Sequence, residues 1–186
     1  MFADMVGSTS LAERLGEDAF RTVMNRYYSA ATAAVEANGG LVVEYMGDGI
    51  LALFTSVVAG PEHARKACLA AQQVSRNLLR EPDAGEPNDH VRFRLRFGIH
   101  SGNVVTGPTG AEHRYSFKAL GDSVIVAARL EEHGKSLPQD GADIILLSAE
   151  TRLRAALPDE LFRSLGPTKL RGRLREVEIF RMTPGP

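Results

Sequence analysis

The chain has 186 residues, which suffice for one domain with a substantial core but not for two full domains of about 100–200 residues each. Apolar residues make up 44% of it and charged residues 24%, so the disordered, collagen-like and fibrous classes are excluded. The 22 basic and 23 acidic residues leave a formal net charge of -1, which provides no overall field for nucleic acid or an anionic membrane. We predict a single domain over residues 1–186 that binds no nucleic acid.

Two further features concern the compartment. Cys68 is the only cysteine, which excludes an intramolecular disulfide and suits a reducing compartment. No apolar run approaches the roughly 20 residues of a membrane span, and the start lacks the basic and apolar regions of a secretory signal. We therefore expect a cytoplasmic protein with no membrane segment in this chain.

The first residues predict a strand that ends at a carboxylate. Met1–Ala3 fit the end of a strand, Asp4–Gly7 a turn and Ser8 the start of a helix, where Ser10 and Glu13 have capping-box spacing. Because strands usually have about 5–6 residues, we expect the natural protein to carry a few more apolar residues ahead of this strand.

A long amphipathic helix and a hairpin follow. Apolar residues between Phe20 and Val35 recur at helical spacing, and Gly39-Gly40 ends the helix. Leu41–Tyr45 and Ile50–Phe54 are β-prone runs joined by a turn with Asp48-Gly49 at its tip. The hairpin therefore displays an aspartate carboxylate.

The second half alternates strands with helices. Pro61 opens a helix, residues 81–90 with two prolines and four acidic residues predict a flexible loop, and Val91–Ile99 alternate as in a half-buried strand. The remaining predicted elements are strands at 103–106 and 114–119 joined by a turn at 107–110, a helix at 123–133, a strand at 144–147, a helix at 148–157 and a strand at 177–182. This order predicts an α/β (α+β) sandwich with a mixed sheet under helices.

The positions of Asp4 and Asp48 indicate a site for divalent cations. If their strands pair, which brings neighbouring strands about 4.8 Å apart, one pair of ions would bridge both carboxylates. Mg²⁺ prefers one or two carboxylates plus phosphate oxygens, although each aspartate taken singly also fits an ordinary turn. The phosphates would meet the backbone N–H groups at the adjoining helix N-terminus, which belong to Met5, Val6, Gly7, Ser8 and Thr9.

Four ordered motifs cover most of the chain. They are Phe2–Thr9 (FADMVGST), Tyr45–Gly49 (YMGDG), Phe97–Gly102 (FGIHSG) and Leu120–Glu131 (LGDSVIVAARLE). In order and spacing they resemble the catalytic domain of class III nucleotidyl cyclases, the adenylate and guanylate cyclases. The resemblance implies the class III cyclase fold, a ferredoxin-like βαββαβ core with added strands. It also implies cyclisation of a nucleoside triphosphate to a 3′,5′-cyclic nucleotide for intracellular signalling.

The resemblance also implies roles for single residues. Asp4 and Asp48 match the two aspartates that hold two Mg or Mn ions. Arg129 matches the arginine that neutralises charge on the phosphates, and Arg173 replaces a lysine that grips the triphosphate. In the family, the aspartates of one subunit face the arginine of its partner. A homodimer is therefore expected.

Three positions depart from the family pattern. Ile125 stands in place of an asparagine that orients the ribose, and its side chain cannot donate that hydrogen bond. Glu44 matches guanylate cyclases rather than adenylate cyclases, whereas Lys118 at the companion base-recognition position matches neither. An ion pair between these two charges across the dimer would satisfy the base pocket by itself, and both also fit solvated strand positions.

Two functions therefore stay open. Because both aspartates and Arg129 are present, the sequence favours an active but slow cyclase, since losing one donor costs about 10²–10³ in rate. It is an adenylate cyclase by the family's usual activity or a guanylate cyclase by Glu44. The alternative is a catalytically degenerate cyclase-like domain that binds nucleotide or regulates an active partner.

Overall fold

A seven-stranded mixed sheet with helices against it forms the body of the computed structural model, which describes residues 1–79, 91–138 and 140–184. The loop predicted at residues 81–90 lies outside the described residues. The strands are β1 Phe2–Met5, β2 Leu41–Met46, β3 Gly49–Leu53, β4 Leu95–Ile99, β5 Val105–Ala111, β6 Arg114–Leu120, β7 Ile144–Ser148, β8 Phe162–Thr168 and β9 Val177–Met182. The helices are α1 Ser8–Leu15, α2 Glu17–Ala37, α3 His63–Leu79, α4 Asp122–His133 and α5 Ala149–Ala155, with 3₁₀ turns at Gly134–Ser136 and Asp159–Leu161.

The strand order of the large sheet is β2-β3-β1-β4-β7-β9-β8, while β5 and β6 form a separate hairpin. The pairing of β4 with β7 is parallel and the other pairings are antiparallel. With α2 between β1 and β2 and α3 between β3 and β4, the first four strands of the large sheet make the predicted ferredoxin-like βαββαβ unit. The mixed sheet and the class III cyclase fold are thereby confirmed.

Alternate residues of the central strands face two separate cores. Ile145 and Leu147 of β7 pack with α2 and α3, whereas Ile144 and Leu146 pack with α4. This two-sided burial explains why β7 reads as a continuous apolar run. Helix α4 lies very close to β4, because a Cβ built at Gly98 would be 2.1 Å from the backbone oxygen of Ala127.

Local predictions were wrong where backbone conformation outweighed side-chain pattern. The capping box of Ser10 and Glu13 is not used: α1 begins at Ser8 after Gly7, whose φ of 72° only glycine adopts readily. The predicted turn at 107–110 is part of β5, and the hairpin turns at residues 112 and 113 instead. Strand β8 was not predicted because Gly166 and Pro167 interrupt it, with a register shift beside them.

The first strand is fixed on both sides, and it extends past Ala3 to Met5. The amino group of Met1 donates to the carbonyl of Ala52 at 2.9 Å. Within the described ranges, no helix has both the length and the apolar character that crossing a membrane requires.

Candidate active site

A cleft of about 610 Å³ opens where β1, the β2–β3 turn, the N-terminus of α1 and the C-terminal end of α4 meet. The charged and polar residues that line it are Asp4, Ser8, Thr9, Asp48, Arg96, Arg129, Glu131, Glu132 and Lys135. Five of these are predicted from the sequence, namely Asp4, Ser8, Thr9, Asp48 and Arg129. The other four are Arg96, Glu131, Glu132 and Lys135.

Asp4 lies near the end of β1, in the middle of the sheet. It is opposite Gly49 of β3 on one side and opposite Arg96 of β4 on the other. Its Oδ2 accepts a hydrogen bond from Nη2 of Arg96 at 2.6 Å. Burial raises the pKa of Asp4 to about 6; the carboxylates of Glu131 and Asp48 add to this effect, and Arg96 opposes it. Asp4 therefore belongs to a compact cluster of three carboxylates and one guanidinium.

Asp48 lies in the turn between β2 and β3, and this turn is held from two sides. Its carboxylate Oδ2 accepts from the hydroxyl of Ser8, and its backbone carbonyl accepts from the N–H of Met5 at 3.1 Å. The hydroxyl of Tyr28 on α2 donates to the carbonyl of Gly47. These contacts fix the turn against α1 and β1, so the two aspartates keep a defined relation.

The predicted phosphate site at the start of α1 is narrower than expected. The N–H of Met5 donates to Asp48, and the N–H of Val6 donates to the carbonyl of Arg94 at 2.8 Å. These two groups are therefore occupied by backbone carbonyls and do not serve phosphate. The first N–H groups of a helix have no acceptor within the helix, so those of residues 7–9 remain available to an anion.

Arg129 extends from α4 to the same cleft. Its Nη1 donates to Oε2 of Glu132 at 2.6 Å, and the other oxygen of Glu132 accepts from Arg171 at 2.8 Å. Hydrogen bonds from Arg171 and Arg129 lower the pKa of Glu132. The Nε of Arg129 is buried and has no hydrogen-bond partner among the described residues. Arg129 thus has donor capacity left, while its charge is held by a carboxylate at the cleft edge.

Two predicted site residues lie toward the other end of α4. Arg173 forms an ion pair with Asp122, the first residue of the helix, and this hydrogen bond lowers the pKa of Asp122. Asp122 precedes Arg129 by seven residues, a rise of about 10 Å along the helix axis. Ile125 is 53% exposed and is not part of the cleft lining. Within one chain, the aspartates and Arg173 are not brought together.

The predicted base-recognition residues form an ion pair within one chain. Nζ of Lys118 on β6 donates to Oε1 of Glu44 on β2. The two side chains are exposed to a similar degree, 33% and 32%. The hairpin of β5 and β6 lies over β2 of its own chain and so brings the two charges together within one subunit, while a pair across a dimer stays a prediction.

The sequence carried weak signals for the cleft residues that it did not identify. Arg96 is one of three arginines that alternate along residues 92–96, so spacing alone does not say which one faces a carboxylate. Glu131 closes the fourth motif, two residues after Arg129, and its place on the helix gives no sign of a partner on β4. Only the pairing of β1 with β4 places Arg96 opposite Asp4.

The donor set of the cleft fits hard divalent cations that bind together with a phosphorylated substrate. Among the described residues, no group of three or more His, Cys, Asp or Glu side chains is placed to form a cage for a metal ion. Asp4 and Asp48 each commit one oxygen to a protein donor, which leaves one carboxylate oxygen each. Mg²⁺ characteristically takes one or two protein carboxylates and completes its shell with water and phosphate oxygens.

Comparisons with known proteins agree with this geometry. Residues 1–183 match the sequence model described as the adenylate and guanylate cyclase catalytic domain. Adenylate cyclase 1 of Rhizobium meliloti (strain 1021) is 30% identical over 184 residues, which cover 97% of this chain and 26% of that protein. The chain thus spans much less than half the length of this curated relative.

Solved structures give the same result for the fold. A bacterial light-regulated adenylyl cyclase superposes with a TM-score of 0.80 at 25% identity, covering 98% of this chain and 51% of that one. The guanylate cyclase domain of RhGC from Catenaria anguillulae, in complex with GTP, superposes with a TM-score of 0.79 at 21% identity. That superposition covers 98% of this chain and 92% of the other.

Proposed function

The chain belongs to the adenylate and guanylate cyclase catalytic domain family, and on this premise we propose that it converts a nucleoside triphosphate to a 3′,5′-cyclic nucleotide and pyrophosphate. The observation that supports this most is the single cleft lined by Asp4, Asp48 and Arg129 together with the start of α1. Carboxylates for cations, N–H groups for phosphate and a guanidinium for developing charge are the parts that such a reaction needs.

Each part has its own task. Asp4 and Asp48 would hold two Mg or Mn ions through their remaining oxygens, and residues 7–9 would bind phosphate through backbone N–H groups. When bound, such ions supply Lewis-acid stabilisation of the phosphate oxygens and favour the deprotonated 3′-hydroxyl. Arg129 would exchange Glu132 for the phosphates, because charge builds up on them as the leaving pyrophosphate departs.

A homodimer would complete the site. Arg173 and Ile125 lie away from the cleft of their own chain, and large apolar side chains are exposed on the β5–β6 hairpin. The exposed apolar residues on the β5–β6 hairpin are Val105, Tyr115, Phe117 and Leu120. We propose that this surface contacts a second copy of the chain, so that the aspartates of one subunit meet Arg173 of the other.

The ion pair of Glu44 and Lys118 would read the base. A lysine donor beside a carboxylate acceptor complements guanine, which offers O6 to the lysine and N1–H with its 2-amino group to the carboxylate. The same pair complements adenine through N1 and the 6-amino group. Because the base has to open an existing ion pair, we propose a purine substrate with modest discrimination between ATP and GTP.

A second candidate is a cyclase-like domain that binds nucleotide without turnover, and Ile125 favours it. The side chain at this position cannot donate a hydrogen bond to the ribose. Loss of one positioned donor typically lowers the rate by about 10²–10³, which slows an enzyme without abolishing its activity. We therefore rank the slow cyclase first.

One experiment separates the two candidates. The purified protein is incubated with ATP, GTP, CTP or UTP and either Mn²⁺ or Mg²⁺, and cyclic nucleotide and pyrophosphate are measured in equal amounts if the proposal holds. Binding of the same nucleotides is measured in parallel by calorimetry. Binding without product supports the non-catalytic candidate, and the absence of both binding and product overturns both.

A further inference from the structure

The buried guanidinium of Arg96 joins two carboxylates at the base of the cleft. Its Nη2 donates to Oδ2 of Asp4 at 2.6 Å, and its Nε donates to Oε1 of Glu131 at 2.8 Å. Arg96 is only 6% exposed, and an arginine is almost never buried to this extent unless it has a partner. The two bonds therefore fix the guanidinium in one orientation.

The fold determines where both partners of Arg96 stand. Arg96 is directly opposite Asp4 in the antiparallel pairing of β1 with β4. Glu131 is brought close by Gly98, where a Cβ would lie 2.4 Å from the backbone nitrogen of Glu131. Any larger residue at position 98 would push α4 away from β4. The triad is thus built by strand register on one side and by helix packing on the other.

The two oxygens of Asp4 have different surroundings. Oδ2 is taken by Arg96, whereas Oδ1 lies on the side of Gly49, 3.2 Å from where a Cβ would stand at that position. Gly49 follows Asp48 in the turn, so Oδ1 is the oxygen on the side of the second aspartate. Asp4 therefore offers one oxygen to a cation at the cleft.

An arginine with only one carboxylate partner tends to bind both of its oxygens in a fork. Glu131 blocks the side-on fork, which needs Nε together with Nη2, because it engages Nε, and the guanidinium is oriented so that the single donor Nη2 points at Asp4. We propose that the Arg96–Glu131 pair is a positioning device that keeps Oδ1 of Asp4 available for a divalent cation. The inference deepens the proposed function and rests on it for the identity of the ligand.

The test measures Mn²⁺ binding to the purified protein without nucleotide, from the loss of the electron paramagnetic resonance signal of the free ion. Glu131→Ala removes the second partner of Arg96, so the fork on Asp4 closes and the dissociation constant for Mn²⁺ rises by about 10-fold. Glu131→Gln retains an acceptor for Nε and leaves the dissociation constant within about 3-fold of the unmodified protein. Arg96→Lys keeps the charge but lacks the fork, and its effect lies between these two.

The matched control is Arg154→Lys. Its Nε donates to Oε1 of Glu150 at 2.6 Å, the same kind of bond, but on the exposed surface of α5. This change leaves Mn²⁺ binding unaltered. A purely structural role for the triad would lower the melting temperature of Glu131→Ala and Arg96→Lys while leaving Mn²⁺ affinity of the folded proteins unchanged.

The outcomes separate this inference from the proposed function. Equal Mn²⁺ affinity in folded Glu131→Ala, Arg96→Lys and the unmodified protein overturns the positioning role, and so does an unmodified protein that binds no Mn²⁺. The expected order of affinities in a protein that forms no cyclic nucleotide overturns only the proposed reaction. If Glu131→Ala does not fold, Arg96→Lys against Arg154→Lys decides.

Discussion

The two ends of α4 hold their charges in different ways. At the C-terminal end, Arg96 binds Asp4 and Glu131 in a buried cluster. At the N-terminal end, Arg173 pairs with Asp122, whose side chain is 69% exposed. The first arrangement is fixed by the packing of one chain, whereas the second leaves its groups accessible to solvent, ligand or another subunit.

This difference indicates which half of the site is formed in advance. Exposed ion pairs contribute only about 0–1 kcal/mol, so Arg173 can leave Asp122 for the doubly charged oxygens of a phosphate at little cost. Breaking the buried bond between Arg96 and Asp4 would strand charges in a poorly hydrated place, which is far more expensive. We infer that the part of the site around Asp4 and Arg96, which would bind the cations, is preformed. Arg173, which would bind phosphate, would move when the substrate binds.

Removing the carboxylate of Asp48 has the largest expected effect on activity. Asp48→Asn deletes one of two cation ligands and should lower cyclase activity by about 10³-fold or more, since such ions contribute several kcal/mol to the transition state. The melting temperature should change little, because the amide oxygen still accepts from Ser8. Asp18→Asn on the surface of α2 is the control and should retain full activity. Undiminished turnover by Asp48→Asn would rule out the role of this carboxylate.

Mixing two inactive variants tests whether the aspartates and Arg173 of one active site come from different subunits. An equimolar mixture of Asp48→Ala and Arg173→Ala should regain up to about a quarter of the unmodified activity, because about half of the dimers are mixed and each has one intact site. Activity is measured after the subunits have exchanged, with heterodimers verified by differently tagged chains. Verified heterodimers without recovered activity would contradict the composite site.

A second mixing experiment tests in which subunit's cleft Arg129 acts. It lines the cleft of its own chain, although the family pattern places this arginine opposite the aspartates of a partner. A mixture of Asp48→Ala with Arg129→Ala recovers activity if Arg129 acts on the partner's substrate. Recovery with Arg173→Ala but not with Arg129→Ala assigns Arg129 to its own cleft.

The sequence predicted that the two aspartates meet, but not which charged groups lie around them. The meeting of Asp4 and Asp48 in one cleft could be predicted because a strand end and a hairpin tip are local patterns, and adjacent strands bring such positions together. Arg96 could not, because its role depends on the register between β1 and β4, which is a property of distant segments. The ion pair of Glu44 and Lys118 within one chain was not predicted for the same reason, because it depends on how the β5–β6 hairpin packs against β2.

A gain of function is expected at the exposed end. Ile125→Asn introduces an amide on α4, where the exposed position accommodates it without disturbing the core. Because a missing donor costs about 10²–10³ in rate, restoring it should raise kcat by about 10-fold or more. Leu153→Asn on the exposed face of α5 serves as the control for added polarity and leaves kcat unchanged. A folded Ile125→Asn protein with unchanged kcat would mean that another group already orients the ribose.

The smallest effect is expected away from both ends, at Asp143. Its carboxylate accepts from the N–H of Leu95 at 2.8 Å and from the hydroxyl of Ser75, so it ties β4 to α3. Burial raises the pKa of Asp143 above its ordinary value, with the bonds from Ser75 and Leu95 opposing the shift.

The raised pKa of Asp143 determines how the stability of the protein changes with pH. A carboxyl group whose pKa is raised in the folded protein stabilises the folded state at a pH below its unfolded pKa of about 4, where both states are protonated. This stabilisation is lost as the pH rises through the pKa of the folded state. Asp143→Asn removes this titration and keeps an acceptor for Leu95, so its melting temperature relative to the unmodified protein should increase across that interval. Asp143→Ala removes the acceptor as well and should be about 1–3 kcal/mol less stable than Asp143→Asn at every pH. Thermal unfolding between pH 4 and 7 measures both, and a constant difference for Asp143→Asn would show that the carboxylate titrates alike in both states.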